Sequence, residues 1–267
     1  MTTPSSHHPT QDSMHDVAPA PADTAARDVI HNAPDPDLYL DDDAGTESPI
    51  FVRSEPRPVR ILAIGGTTSA RSWSLVPLEA ALKRAQEAGC ETVLATVYDL
   101  NLPLFHTEWK LEDYPPTLAW LLEEVRKADG LIICSPTYHG TISGAVKNVL
   151  DALIFLGWDK PPYLGGKPVG VMAYGGMTAM GVLHALTTTV RGLKGITIPT
   201  HVAVPERAVD RETASICDER INDRIDLMVS ELISFSARLR VPHVAPRARR
   251  QLTTATATDI PNTVIPH

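Results

Sequence analysis

The stretch from Leu131 to Asp151, LIICSPTYHGTISGAVKNVLD, constrains the fold of this chain more than any other. It opens with four apolar residues, as a buried strand does. Ser135-Pro136 is expected to end that strand, because proline donates no ladder hydrogen bond. From Gly144 the apolar residues follow a helical period. A strand, a polar loop and a helix in this order place the loop at the carboxyl edge of a sheet, where open α/β proteins bind ligands. An ordinary strand-to-helix connection is the alternative interpretation.

Strand and helix patterns alternate through the rest of the chain. Apolar, β-branched runs predict strands at 59–64, 91–97, 169–173 and 196–204, and helical spacing predicts helices after Ser74, at 115–128, at 181–193 and within 210–239. This alternation predicts an α/β fold, a doubly wound parallel sheet of five strands. The long connection from Tyr98 to Tyr114 is expected to serve the site or a partner, although packing explains its aromatic residues equally well.

Both ends of the chain are predicted to be disordered tails. Residues 1–58 carry eleven acidic side chains and three arginines, which accounts for the formal net charge of −8, and they are rich in Pro and Ala. Such a segment buries too little apolar surface to order itself. We therefore expect one domain over residues 59–240 and a second tail at 241–267. The acidic segment has no basic start followed by an apolar run, so no signal peptide is predicted, and no apolar run reaches the length of a membrane span.

Charge and cysteine usage exclude several classes of protein. Residues 59–267 hold equal numbers of acidic and basic side chains, which leaves no electrostatic footprint for nucleic acid. Cys90, Cys134 and Cys217 lie far apart without a CxxC pair, as expected of reduced thiols in a cytoplasmic protein. Cys134 stands next to the proposed loop, where an inert core residue is the favoured interpretation.

A second polar loop, GGTTSARSWS, follows the first predicted strand and precedes the first predicted helix. Eight consecutive residues of this loop, 67–74, carry five hydroxyls and one guanidinium, and Ser74 is a candidate N-cap. Hydroxyls and free backbone N–H groups ahead of a helix N-terminus suit a phosphate. A solvated turn that only caps the helix is the alternative. The loop carries no GxGxxG, so no dinucleotide-binding fingerprint is predicted.

These two loops carry a resemblance to a known family. SPTYHGTISGAVKNVLD resembles the SPxYxGxxxGxxKNxLD segment of the NADPH-dependent FMN reductases, which are flavodoxin-like proteins. GGTTSARSWS is similar to their GSxRxxS phosphate loop, except that Ser69 stands at the arginine position and Arg71 follows two residues later. The resemblance covers roughly residues 59–205. It implies a flavodoxin-like sheet in the order 2-1-3-4-5, with a mononucleotide at the switch point between strands one and three.

The resemblance also implies a set of cofactor-binding residues. The FMN phosphate is expected on Thr67, Thr68, Ser69, Arg71, Ser72 and Ser74. The isoalloxazine is expected against Pro136, Thr137, Tyr138, His139 and Gly140, with Gly175 and Gly176 closing the pocket. The two glycines are otherwise simply a flexible turn. No catalytic side chain and no metal ligand is predicted, because the flavin carries the chemistry. His139 as a proton donor to reduced flavin is the alternative to a ring contact.

The implied function is an NAD(P)H-dependent FMN reductase, an oxidoreductase that passes hydride from NADPH or NADH to FMN and on to an acceptor. The alternatives are an FMN-retaining quinone, azo or metal-oxyanion reductase and a flavodoxin-like electron carrier. Against the carrier, the phosphate loop is not of the flavodoxin type. The expected partners are flavin and nicotinamide nucleotides, a second copy of the chain in a homodimer or homotetramer, and a flavin-dependent monooxygenase. No nucleic acid or membrane partner is expected.

Overall fold

The structure, a computed structural model, describes residues 57–176 and 178–240, and a mostly parallel sheet runs through them. The strands are β1 (Arg60–Gly65), β2 (Glu91–Thr96), β3 (Gly130–Tyr138), β4 (Thr141–Ile142), β5 (Pro168–Tyr174), β6 (Ile196–Thr197) and β7 (Val202–Val204), with a separate hairpin of β8 (Val209–Asp210) and β9 (Ser215–Ile216). The helices are α1 (Leu75–Glu87), α2 (Val97–Leu100), α3 (Pro116–Lys127), α4 (Gly144–Asp151), α5 (Ala179–Gly192) and α6 (Glu219–Arg238).

The strand order confirms the predicted fold class. The sheet reads β2-β1-β3-β5-β6, and β7 also pairs with β5 in parallel. The predicted fifth strand at 196–204 is therefore two short strands that share one neighbour. Pro199 stands between them and has no N–H to donate. Thr200 then donates its N–H and its hydroxyl to the Glu231 carboxylate of α6, both at 2.9 Å, instead of to the sheet.

The sheet is covered on both faces, which is why its strands read as continuous apolar runs. Leu131 and Ile133 of β3 belong to one core cluster, and Ile132 and Cys134 belong to the other. Helices α3, α4 and α5 supply the first cluster, while α1 and α6 supply the second. Exposed residues follow the carboxyl ends of β1 and β3, and the candidate site lies at this edge.

The prediction that Ser135-Pro136 ends β3 is wrong. These two residues remain paired with Ala173 and Tyr174 of β5, and the strand then turns into a hairpin with β4. The pairing of β3 with β1 does end, at Cys134. Beyond that residue β3 has one paired edge, and an edge tolerates a residue that cannot donate.

A buried carboxylate closes the opposite, amino edge of the sheet. Asp129 accepts two hydrogen bonds from the Arg57 guanidinium, at 2.7 and 2.8 Å, and one from the Arg60 N–H at 2.9 Å. Arg57 lies within the stretch predicted as a tail. Pro58 is the other described residue of that stretch, and residues 1–56 and 241–267 of the predicted tails lie outside the described residues. The domain boundaries therefore stay a prediction.

Lys167, 4% exposed, lies beside this carboxylate. Its Nζ donates to the carbonyls of Arg126 and Ala128, close to the end of α3. Burial lowers the pKa of Lys167 to about 8, although Asp129 and Asp159 act in the opposite direction. No helix within 57–176 and 178–240 combines the length and the apolar character that crossing a membrane requires.

Candidate functional site

Register brings the three predicted loops to one edge of the sheet. Gly65, at the end of β1, pairs with Cys134 of β3, and Pro136 of β3 pairs with Tyr174 of β5. The chain segments that leave these three strands therefore start side by side. In order along the edge they are the loop 66–74, the β3–β4 hairpin and the turn at Gly175.

The loop 66–74 presents its polar groups ahead of α1. Thr68, Ser69 and Arg71 are exposed, and Thr67 and Ser72 are half-buried. The Thr67 hydroxyl accepts a hydrogen bond from the Ser69 N–H at 3.2 Å, which curls the loop. The first turn of α1 contains no acidic residue to oppose an anion. This arrangement suits a phosphate.

Ser74 occupies the predicted N-cap position of α1, but its hydroxyl lies 2.8 Å from the Ser72 hydroxyl and shares a hydrogen bond with it. Ser74 is 1% exposed, so the Ser72 hydroxyl is the more accessible of the two. The Cys134 thiol donates to the Ser74 carbonyl at 3.3 Å. Burial raises the pKa of Cys134 to about 12, so the residue is a neutral thiol at physiological pH, as an inert core cysteine would be.

The predicted loop after β3 is a tight hairpin. Thr137 pairs with Ile142, and Tyr138 pairs with Thr141, which leaves His139 and Gly140 as a two-residue turn. Both have positive φ, 50° and 81°, as a type I′ turn requires. Tyr138 is 52% exposed and His139 is also exposed, so both side chains are available to a ligand at the edge.

The turn after β5 packs directly on this hairpin. A Cβ built on Gly175, whose φ is 147°, would stand 2.7 Å from Thr137 Oγ1 and 2.8 Å from Thr137 Cβ. A Cβ on Gly181 of α5 would stand 2.0 Å from the Gly140 carbonyl oxygen. A Cβ on Gly176, in contrast, meets no atom of the described residues within 4 Å. The turn is therefore closed on one side and open on the other.

Ser135, a residue of the family motif that was not predicted to bind the cofactor, has a structural role. Ser135 is fully buried, and its hydroxyl donates to the Pro136 carbonyl and accepts from the Ser143 N–H at 3.0 Å. Ser143 in turn caps α4 by accepting from the Val146 N–H at 3.2 Å. The Ser135 hydroxyl thus joins the base of the hairpin to the start of α4.

Asn148 of α4 holds the long connection after β2 in place. Its amide oxygen accepts from the Phe105 N–H at 2.7 Å, and its amide nitrogen donates to the Pro103 carbonyl at 2.8 Å. Between these two contacts, Leu104 is 82% exposed. Farther along, the Tyr114 hydroxyl accepts from the His106 N–H at 2.8 Å. The connection is therefore a fixed wall beside α4.

A pocket of about 590 Å³ lies between this wall, α4 and the loop 66–74. It is lined by Thr68, Val97, Tyr98, Asp99, Asn101, Leu102, Leu104, Gly144, Ala145, Asn148 and Val149. Of the residues predicted for the site, this lining includes Thr68. Five others belong to the connection from Tyr98 to Tyr114, which was expected to serve the site or a partner, and Gly144 and Asn148 belong to the family motif. None of these was predicted to bind the cofactor, because the pocket exists only once segments distant in sequence meet.

The residues at the edge fit FMN. The loop 66–74 offers a phosphate several hydroxyls, the Arg71 side chain and the N-terminus of α1. Thr137 Oγ1 is buried and has no hydrogen-bond partner within 57–176 and 178–240, as expected of an atom that a ligand would satisfy. The open side of Gly176 leaves room for a flat ring against the backbone.

Known proteins resemble this chain over the same region. The family model of the NADPH-dependent FMN reductases matches residues 59–208. An FMN-dependent NADPH-azoreductase of Staphylococcus saprophyticus is 34% identical over 128 residues, which cover 46% of this chain and 65% of the relative. An NADPH-dependent FMN reductase ArsH of Shigella flexneri is 28% identical over 224 residues, 80% of this chain and 84% of that relative.

A solved structure agrees in fold. The flavoenzyme NAD(P)H:(acceptor) oxidoreductase FerB of Paracoccus denitrificans superposes with a TM-score of 0.53 at 18% identity, over 68% of this chain and 98% of that one. The family match spans both loops in which the resemblance was first found, and it confirms that resemblance. The chain belongs to the NADPH-dependent FMN reductase family and is an oxidoreductase.

Proposed function

We propose that this chain binds FMN at the carboxyl edge of its sheet and reduces it with NADPH or NADH. The observation that carries the proposal is the meeting of three segments at this edge: a hydroxyl-rich loop ahead of α1, the β3–β4 hairpin and the turn whose Gly176 is open. FMN supplies the redox chemistry when it is bound, because it accepts hydride and passes electrons on.

The chain's own residues bind and orient the cofactor in this proposal. Thr67, Thr68, Ser69, Arg71, Ser72 and Ser74 form the phosphate site, the last through its hydrogen bond to Ser72. Pro136, Thr137, Tyr138, His139 and Gly140 support the ring, and Gly175 and Gly176 close the pocket. The family membership supports these assignments, because the matched region contains all thirteen residues. No side chain is assigned an acid or base role.

A second candidate is an FMN-retaining reductase that acts on an organic acceptor such as a quinone or an azo compound. The pocket beside Thr68 favours it, because about 590 Å³ is within the usual range for a small-molecule site. Asp99 is the one charged residue in that lining, all of which lies in the described part of the chain. A pocket whose one charge is a carboxylate, among polar and apolar uncharged residues, suits uncharged aromatic molecules better than oxyanions.

A homodimer or homotetramer is also proposed. Large apolar side chains remain exposed on neighbouring elements: Trp120 is 43% exposed, Ile154 42% and Trp158 53%. Ile154 and Trp158 belong to the apolar run 150–158, in which Leu150, Leu153 and Leu156 are buried in the core. Sedimentation equilibrium at micromolar concentration tests the proposal, and a monomer there contradicts it.

A cytoplasmic location and delivery of reduced FMN to a flavin-dependent monooxygenase complete the proposal. The three free cysteines support the cytoplasmic location.

The phosphate loop provides the test of the proposed function. Charge-assisted hydrogen bonds to a phosphate contribute about 1.5–3 kcal/mol each, so Arg71→Ala should weaken FMN about ten- to a hundredfold. Riboflavin, which lacks the phosphate, should bind the variant as it binds the wild type. Both affinities are read from the quenching of flavin fluorescence.

Two controls accompany this measurement. Ser69→Arg restores the family's arginine and should tighten FMN. Steady-state NADPH oxidation with excess FMN separates a reductase from an electron carrier. Equal losses for FMN and riboflavin in Arg71→Ala would place the arginine away from the phosphate, and no FMN binding by the wild type would overturn the proposed function.

A further inference from the structure

Buried side-chain atoms without a hydrogen-bond partner occur at both edges of the sheet. Within residues 57–176 and 178–240 these atoms belong to Arg60, Thr137, Tyr174, Ser236 and Arg240. Arg60 begins β1, Arg240 bonds Arg57, and Ser236 lies against Gly130 at the start of β3, so these three are at the amino edge. The two others are hydroxyls at the carboxyl edge, where the flavin is proposed to bind.

Tyr174 is one of these two hydroxyls and was not among the residues predicted for the site. It is the last residue of β5, it pairs with Pro136, and it is 8% exposed. An unpaired hydroxyl this deeply buried costs free energy unless a partner arrives. A phenylalanine would fill the same space without that cost, so the hydroxyl itself calls for a role.

The face of the sheet on which Tyr174 lies points to the ligand group it would meet. Its ring belongs to the core cluster of α1 and α6, together with Met172 and Cys134. Cys134 lies on this face two residues before Pro136, the residue that pairs with Tyr174. Its thiol contacts the Ser74 carbonyl at the start of α1. Thr137 follows Pro136 by one residue and so lies on the other face, toward the hairpin. Tyr174 thus lies on the face that α1 covers, at whose N-terminus the phosphate loop stands, and it shares this face with Pro136.

We propose that Tyr174 is a further flavin-binding residue, whose phenol O–H donates a hydrogen bond to an oxygen of the phosphoribityl chain of FMN. This inference rests on the proposed function. It explains why this chain buries a tyrosine hydroxyl, at a cost to the unliganded protein, at the carboxyl edge and on the face that α1 covers. The sequence carried no signal for it, since a tyrosine that ends a buried strand looks like core.

The substitution Tyr174→Phe tests the proposal, because it removes one oxygen and keeps the ring. We expect the dissociation constant for FMN to rise about three- to thirtyfold, the range for one hydrogen bond. We expect the melting temperature of the protein without flavin to stay the same or rise, because an unpaired buried hydroxyl is gone. If Tyr174 only packed in the core, the substitution would not weaken FMN binding while the melting temperature stayed the same or rose.

Ser236→Ala is the matched control, since it removes the unpaired buried hydroxyl at the amino edge. It should behave like Tyr174→Phe in the melting experiment and leave the FMN dissociation constant unchanged. Riboflavin distinguishes the acceptor atom: a loss for FMN alone assigns the bond to the phosphate, and an equal loss for riboflavin assigns it to a ribityl hydroxyl. Either result supports the proposal.

A dissociation constant for FMN within twofold of the wild type, with a lower melting temperature, would overturn it, because the hydroxyl would then stabilise the fold itself. If the wild type bound neither FMN nor riboflavin, the proposed function would fail and this inference with it. If the wild type bound FMN and Tyr174→Phe bound it equally well, this inference alone would fail.

Discussion

Two adjacent glycines after β5 have opposite surroundings, and alanine at each position tests where the flavin lies. A Cβ on Gly175 would stand 2.7 Å from Thr137 Oγ1 at a φ of 147°, whereas a Cβ on Gly176 meets none of the described residues within 4 Å. We expect Gly175→Ala to damage the fold. We expect Gly176→Ala to leave the fold intact and to weaken FMN.

The magnitudes follow from these distances. Alanine at a positive φ costs about 1–3 kcal/mol, and forcing a methyl group into a filled space costs about 1–3 kcal/mol more. The free energy of unfolding of Gly175→Ala should therefore fall by about 2–6 kcal/mol. At about 2–4 °C per kcal/mol in a domain of this size, the melting temperature falls by about 4–24 °C. Gly176→Ala should change that free energy by less than about 0.5 kcal/mol.

The effect of Gly176→Ala on the cofactor has a different origin. If the flavin ring lies against this backbone, one added methyl group displaces it at a cost of about 1–3 kcal/mol. The dissociation constant for FMN should then rise about 5- to 150-fold. Thermal unfolding followed by circular dichroism gives the stability, and quenching of flavin fluorescence gives the affinity.

Each variant serves as the control for the other. An FMN dissociation constant for Gly176→Ala within twofold of the wild type would show that the ring does not lie against this turn. A wild-type melting temperature for Gly175→Ala would show that the hairpin yields to the added methyl group, and the account of the closed side of the turn would be refuted.

Two further predictions concern the amino edge of the sheet. Deleting residues 1–56 should leave the melting temperature and NAD(P)H oxidation unchanged. Arg57→Ala leaves the buried Asp129 carboxylate short of two hydrogen bonds and should lower the free energy of unfolding by about 1–2 kcal/mol. Equal melting temperatures for the deletion and for Arg57→Ala would contradict the role given to Arg57. Because the pKa of Lys167 is about 8 in the folded protein and 10.5 when unperturbed, the folded state binds fewer protons between these values, and wild-type stability should rise with pH there by up to about 3 kcal/mol relative to Lys167→Met. Urea unfolding from pH 7.5 to 10.5 measures this difference, and parallel pH profiles would refute it.

Local patterns were enough to predict the architecture and the edge of the sheet at which the candidate site is proposed. Short apolar runs and helical spacing identify the strands and helices, and parallel strands alone imply a shared carboxyl edge. The serine, glycine and asparagine of the stretch after Leu131 carried the family resemblance without any knowledge of their contacts. Those features depend on near neighbours in the chain, so the amino-acid sequence by itself determined them.

The tertiary structure decided what depends on partners far apart in sequence. Whether β3 ends at Pro136 depends on where β1 stops beside it. Asn148 holds residues more than 40 positions earlier, and this contact builds the wall of the pocket. Tyr174 looks like core in the sequence, and its unpaired hydroxyl emerges only once the sheet, α1 and the loops around it have assembled. Hydrogen bonding and burial are properties of that assembly, which no local period of the sequence encodes.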